Sequence, residues 1–232
     1  MKSSLKTFTL FIALAGLATG ARADSLKLFQ DTTNYSVGIG GAFIAQVVNG
    51  PISNADYSGA AKIGSNSFLT FCIEHNETFN PGSSYTYNYV LNNGAVNGGA
   101  GGQTAPNYDG VSNATAFLYS QFAQGLLTGA AGFAYNTGAT GYGFLQNAIW
   151  HLEGEGIAEN ALAAWAKTQV GANWNADSNG SYGVQALNLT YASGARAQDQ
   201  LYYHNVPEQG LTIALLGLAL MGVAGFRRLF AK

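Results

Sequence analysis

Two uncharged apolar runs, one near each terminus and each bordered by basic residues, confine the foldable part of this 232-residue chain to what lies between them. At the front, Lys2 and Lys6 precede an apolar run over residues 8–17, and Ala21-Arg22-Ala23 follows as a small-x-small cleavage pattern. That is the layout of a secretory signal peptide over residues 1–23, cleaved after Ala23 so that the mature chain starts at Asp24. About ten apolar residues are too few to cross a bilayer. At the back, residues 211–226 carry no charge for sixteen positions. As a helix they extend about 24 Å, slightly short of a ~30 Å hydrocarbon core. A helix apolar on all sides at an extreme terminus has nothing left to bury it, so a transmembrane helix is expected rather than a core helix. Arg227 and Arg228 follow at once, and the positive-inside rule keeps them cytoplasmic. The segment between the runs is then expected outside the inner membrane.

That segment is poor in charge. Lys, Arg, Asp and Glu make up 9% of the chain, against roughly 25% in an ordinary soluble protein. Between residues 24 and 210, Lys27, Lys62, Lys167 and Arg196 face all twelve carboxylates, a net charge of −8. Such a surface repels phosphate backbones, which excludes nucleic acid as a partner. Aromatic residues at 12% supply a packed core and argue against disorder.

Residues 36–48 and 67–73 are rich in Val, Ile, Phe and small residues, and are expected as strands. Tyr85-Thr86-Tyr87-Asn88-Tyr89-Val90 alternates with period two, the pattern of a half-buried strand. Residues 92–106, rich in Gly and Asn, are expected as a mobile exposed loop. Helical spacing follows: Ala116, Tyr119, Phe122 and Ala123 share one face behind Ser112 or Asn113 as N-cap. Phe144, Ile149 and Leu152 mark a second helix, and residues 161–170, entered from Glu159-Asn160, a third. Strands return at residues 184–191 and 200–203, and no internal repeat is present. Strands, then helices, then strands predict an α+β body over residues 24–205, an antiparallel β-barrel or sandwich with an inserted helical subdomain.

The motif Val206-Pro207-Glu208-Gln209-Gly210, the apolar helix and the Arg227-Arg228 end together resemble a PEP-CTERM-type sorting tail over residues 206–232. The motif is at least as close to the Val-Pro-Asp-Ser-Gly variant of that tail. The resemblance implies anchoring in the inner membrane of a Gram-negative bacterium that makes extracellular polysaccharide. An exosortase would recognise residues 206–210, remove the helix at 211–226 with its basic end at 227–232, and release the body to the cell surface or extracellular matrix.

The body holds one cysteine, Cys72, so no intramolecular disulfide can form. A single cysteine in an exported chain is a buried inert thiol, an intermolecular bridge or a reactive group. Its context is Leu69-Thr70-Phe71-Cys72-Ile73-Glu74, and far downstream comes Phe144-Leu145-Gln146-Asn147-Ala148-Ile149-Trp150. These two pieces resemble the paired motifs of thioester domains in surface adhesins of Gram-positive bacteria. The resemblance implies that Cys72 and Gln146 form an internal thioester, with Ala148, Ile149 and Trp150 as the helix signature. Leu145 stands where those adhesins usually carry Thr. A thiolate attacking the Gln146 amide would expel ammonia and leave an electrophilic acyl group, walled from water by Phe71, Ile149 and Trp150. A surface amine, or a hydroxyl of a polysaccharide, would then displace the sulfur. The alternative is a structural biofilm or matrix component of the same fold, with a free buried cysteine and Gln146 and Trp150 as ordinary helix residues. His75 lies near enough in sequence to assist proton transfer, but on an alternating strand it would face away from Cys72.

Conventional enzyme motifs are absent: no H-E-x-x-H, no G-x-S-x-G and no phosphate loop with its Lys, so no enzymatic activity and no cofactor is expected. Gly38-Ile39-Gly40-Gly41 reads as a strand bulge. Glu74-His75-Asn76-Glu77 and His151-x-Glu153-x-Glu155 each offer metal-ligand types without diagnostic spacing, and solvated polar loops are expected there. Tyr85, Tyr87, Tyr89, Tyr202 and Tyr203 read as sheet-packing residues rather than a sugar platform.

Overall fold

The computed structural model describes residues 23–31, 34–37, 40–96, 105–136 and 138–205. Residues 1–22 of the expected signal peptide, Ala21 among them, and the whole sorting tail lie outside these residues. Among the described residues no helix is long and apolar enough to cross a membrane.

Among the described residues, eleven strands and three α-helices are formed: β1 Ser25–Phe29, β2 Ser36–Val37, β3 Gly40–Gly41, β4 Phe43–Asn49, β5 Lys62–Ile63, β6 Ser67–Thr70, β7 Tyr87–Asn92, β8 Gly94–Val96, β9 Tyr108–Gly110, α1 Asn113–Ala123, α2 Tyr142–Leu152, α3 Ala161–Val170, β10 Val184–Tyr191 and β11 Arg196–Tyr203. Seven strands make one antiparallel sheet in the order β11-β10-β7-β1-β4-β6-β5. Its register follows side-chain alternation. In β7, Tyr87 and Tyr89 are buried while Val90 is 67% exposed, as the period-two pattern requires. Tyr202 and Tyr203 are also buried, so four of the five tyrosines expected to pack the sheet do so, while Tyr85 is exposed and precedes β7 rather than starting it.

The helices begin where side chains can cap them. Ser112 Oγ accepts from Thr115 N at 3.2 Å to start α1, and Asn160 Oδ1 accepts from Leu162 N and Ala163 N at 3.1 and 3.0 Å to start α3.

Three expectations change. The sheet does not close into a barrel: its order ends at β11 and β5. β11 instead meets the segment leaving β6, where Leu201 N donates to Phe71 O and Ile73 N to Asp199 O, at 3.0 and 3.1 Å, around a bridge between Cys72 and Gln200. The helices are not a separate subdomain either. Leu118, Tyr119, Leu145, Ile149 and Leu162 belong to the same buried cluster as Leu26, Leu28, Phe68 and Leu187. Lastly, the segment expected as one loop supplies β8, which pairs with β9 just beyond it through Ala95 and Asp109. Gly94 makes this possible, because a Cβ there would sit 2.2 Å from Asp109 O.

Two buried phenols tie helix to sheet. Tyr57 and Tyr119 share a hydrogen bond of 2.9 Å between hydroxyls; Tyr203 N donates to Tyr57 Oη at 2.8 Å, and Tyr119 Oη reaches Leu69 O and Leu201 O. Tyr57→Phe leaves the Tyr203 amide without its buried acceptor. It should cost about 1–3 kcal/mol, read as a lower urea midpoint with unchanged slope.

Candidate functional site

Residues 71–73 run extended beside β11, so adjacent side chains point to opposite faces. Phe71 enters the main core, with its ring against Phe122 and Tyr119 at 5.0 and 6.2 Å between centroids. Cys72 turns the other way, into a small separate cluster with Phe43 and Trp150, flanked by Phe79 and Ile157. Helix α2 presents Gln146 and, one turn on, Trp150 to that side, while Ala148 and Ile149 face the main core. Of the three expected wall residues, only Trp150 packs in the cluster with Cys72. Sequence reasoning missed Phe43 and Gln200, both brought in by strands distant in the chain.

Cys72 and Gln146, 74 positions apart, meet through a reciprocal pair of hydrogen bonds. Cys72 N donates to Gln146 Oε1 at 3.0 Å, and Gln146 Nε2 donates to Cys72 O at 2.8 Å. The side-chain amide thus docks on the Cys72 peptide as a strand neighbour would. Gln200 Nε2 points at Cys72 Sγ from 3.4 Å. Cys72 is fully buried and Gln146 is 1% exposed. Burial pushes the Cys72 thiol up to about 12, more than the Gln200 hydrogen bond lowers it.

Close approach of α2 depends on Gly40. A Cβ there would lie 2.7 Å from Trp150 and 3.1 Å from Gln146, so Gly40 provides space for the site, and the expected continuous strand is divided into β2, β3 and β4.

On the outer side, a cavity of about 340 Å³ shares Phe43 and Trp150 with the cysteine cluster, and is further lined by His75, Glu77, Phe79 and Gln198. The chain has left the strand by residue 75, so alternation no longer sets its direction. The His75 ring meets Trp150 edge-on at 4.6 Å.

The two acidic stretches are not solvated loops. Glu74, Glu153 and Glu155 are all buried, as is Asp109 of β9. Ser112 N and Oγ donate to Glu153 Oε1 at 3.2 and 2.7 Å, and His75 N donates to Glu155 Oε2 at 2.9 Å. Burial, followed by repulsion from neighbouring carboxylates, raises Glu74 to about 9 and Asp109 to about 8. Asp199 rises to about 7, chiefly through burial, against hydrogen bonds from Val96 N, Asn188 and Leu189 N.

A scan against protein-family models gives no match to this chain, and neither a search of curated proteins nor one of solved structures gives any.

Proposed function

We propose that the body is an adhesive surface or matrix module that attaches covalently through a Cys72–Gln146 thioester. The reciprocal docking of the Gln146 amide on the Cys72 peptide carries this reading. The Cys72 N–H, bonded to Gln146 Oε1, withdraws electron density from the amide carbon and is placed to stabilise an oxyanion there. The Gln146 nitrogen is held by its own bond to Cys72 O. In the forming step the Cys72 sulfur bonds to Gln146 Cδ, the C–N bond breaks, and the thiol proton leaves with the nitrogen as ammonia. In the attaching step a partner amine bonds to the same carbon, the C–S bond breaks, and the amine's proton returns to sulfur. Each molecule reacts once, so the protein is not an enzyme. Entry would be through the cavity beside Phe43 and Trp150.

Delivery follows from the ends. The body is exported, anchored by residues 211–226 in the inner membrane, and released by an exosortase acting at Val206, Pro207, Glu208, Gln209 and Gly210. It then reaches the surface or polysaccharide matrix of a Gram-negative cell.

A second reading is favoured by the high thiol pKa and by the satisfied amide: the same fold as a structural matrix component with a free buried cysteine. The intact mass of the non-reduced protein separates the two. The thioester gives a mass short by one ammonia, converted to a methylamide by methylamine, and Cys72→Ala shows no ammonia deficit against its own sequence mass. A full mass in the wild type, with one thiol alkylated only after unfolding, would leave the structural reading standing.

A further inference from the structure

The second half of the site is acidic and independent of the thioester. One carboxylate oxygen each from Glu74, Asp109 and Glu155 lie within 4.8 Å of one another. They come from three elements: the exit of β6, strand β9 and the chain just after α2. Both oxygens of Glu74 and Oδ2 of Asp109 are buried without a hydrogen-bond partner. Among the described residues the ion pairs join Glu159 to Lys167 and His151, and none reaches Glu74 or Asp109. An unpartnered carboxyl group with no exposed surface is costly. A cluster of them calls for a counter-charge at its centre.

We propose that Glu74, Asp109 and Glu155 hold a calcium ion, which ties the strand exit carrying Cys72 to the end of the helix carrying Gln146. The donors are oxygen only, which suits a hard cation and disfavours zinc or copper. Three carboxylates, each able to bind through one or two oxygens, supply three to six of the roughly 6–8 ligands calcium takes. Water can complete the shell from an adjoining cavity of about 240 Å³, lined by Asp109, Ser112, Glu153 and Trp174. Magnesium demands stricter octahedral geometry and surrenders its water reluctantly, so this buried set favours the larger ion. Glu153, held by Ser112, is a further carboxyl group beside Glu74 and Asp109.

The purified full chain in detergent tests this, with terbium as the probe. Terbium should luminesce on tryptophan excitation through Trp174, and millimolar calcium should quench the signal by displacement. Calcium at about 1 mM should raise Tm by about 5 °C or more over EDTA at pH 7.5, with magnesium doing much less. Glu74→Gln should abolish both responses while leaving Tm in EDTA equal or higher, because a buried carboxyl is removed. If Glu74→Gln does not fold, Asp109→Asn is read by terbium in the same way. A wild type without terbium signal or calcium shift overturns the proposal. So does a calcium shift that survives both substitutions, or a larger response to magnesium than to calcium. None of these readings depends on whether the thioester forms.

Discussion

In EDTA, the midpoint of thermal unfolding should fall by on the order of 10 °C between pH 5.5 and pH 8. The cause is the group of acids that the fold buries. Glu74, Asp109, Glu153 and Asp199 all sit above the ordinary carboxyl range, with burial the largest cause for each. The folded chain keeps protons there that the unfolded chain has already lost above pH 4.5. Unfolding therefore releases protons across this window, and raising the pH favours it. One retained proton is worth about 1.4 kcal/mol per pH unit. The groups facing the cluster act in the same sense: Glu74 is flanked by Glu155, Asp109, Glu77 and Glu153, and Asp109 also by Asp177. Arg196 is the cation placed to oppose the trend, and it acts on Glu77. Scanning calorimetry at three pH values in EDTA checks this. A midpoint that is flat or rises toward pH 8 would mean these acids are charged in the folded chain.

In a Cys72→Ala background, which keeps the Gln146 amide intact, Gln146→Ala should be among the most damaging substitutions, costing about 3–5 kcal/mol. It removes both partners of the Cys72 peptide where no water reaches, and it opens a void beside Trp150. Gln146→Glu separates the two contributions. The side chain keeps its size, and as a neutral acid it can still donate one bond to Cys72 O. On ionisation it places a second acceptor against that carbonyl. Its urea midpoint should therefore approach that of the Cys72→Ala parent at pH 5 and drop toward that of the variant with alanine at 146 at pH 8. Equal loss in both variants at every pH would show that packing volume, not the reciprocal hydrogen bonds, holds α2 to the strand.

Local chemistry was legible wherever a side chain acts on its own neighbours. Ser112 and Asn160 can be read as caps because their oxygens serve amides two or three residues on. Tyr87 and Tyr89 can be read as inward because alternation has a single period. The meeting of Cys72 with Gln146 is of another kind. No periodicity links positions so far apart, and only the likeness to a paired motif suggested it. The expected wall failed on a rule already available: Phe71 and Cys72 are adjacent on extended chain and must face opposite sides. Phe43 was invisible because its place depends on the register of β4 against β6, where it lies opposite Thr70. The buried acids were misread because charged residues are usually solvated. The available signal was the imbalance itself, since four cations cannot pair with twelve carboxylates.

The bonds between residues 71–73 and β11 also bear on how the molecule would transmit tension. β11 ends at Tyr203, immediately before the proposed anchor, and its neighbour across those bonds is the segment bearing Cys72. A chain fixed beyond residue 205 and pulled at Gln146 would pass force from α2 to the Cys72 peptide and then sideways into β11, bypassing β1, β4 and β7. Parallel backbone bonds loaded in shear must break together rather than one at a time. The part of the sheet that failed to close as a barrel is then the shortest mechanical route through the protein, and the central strands could stay folded while it is under strain.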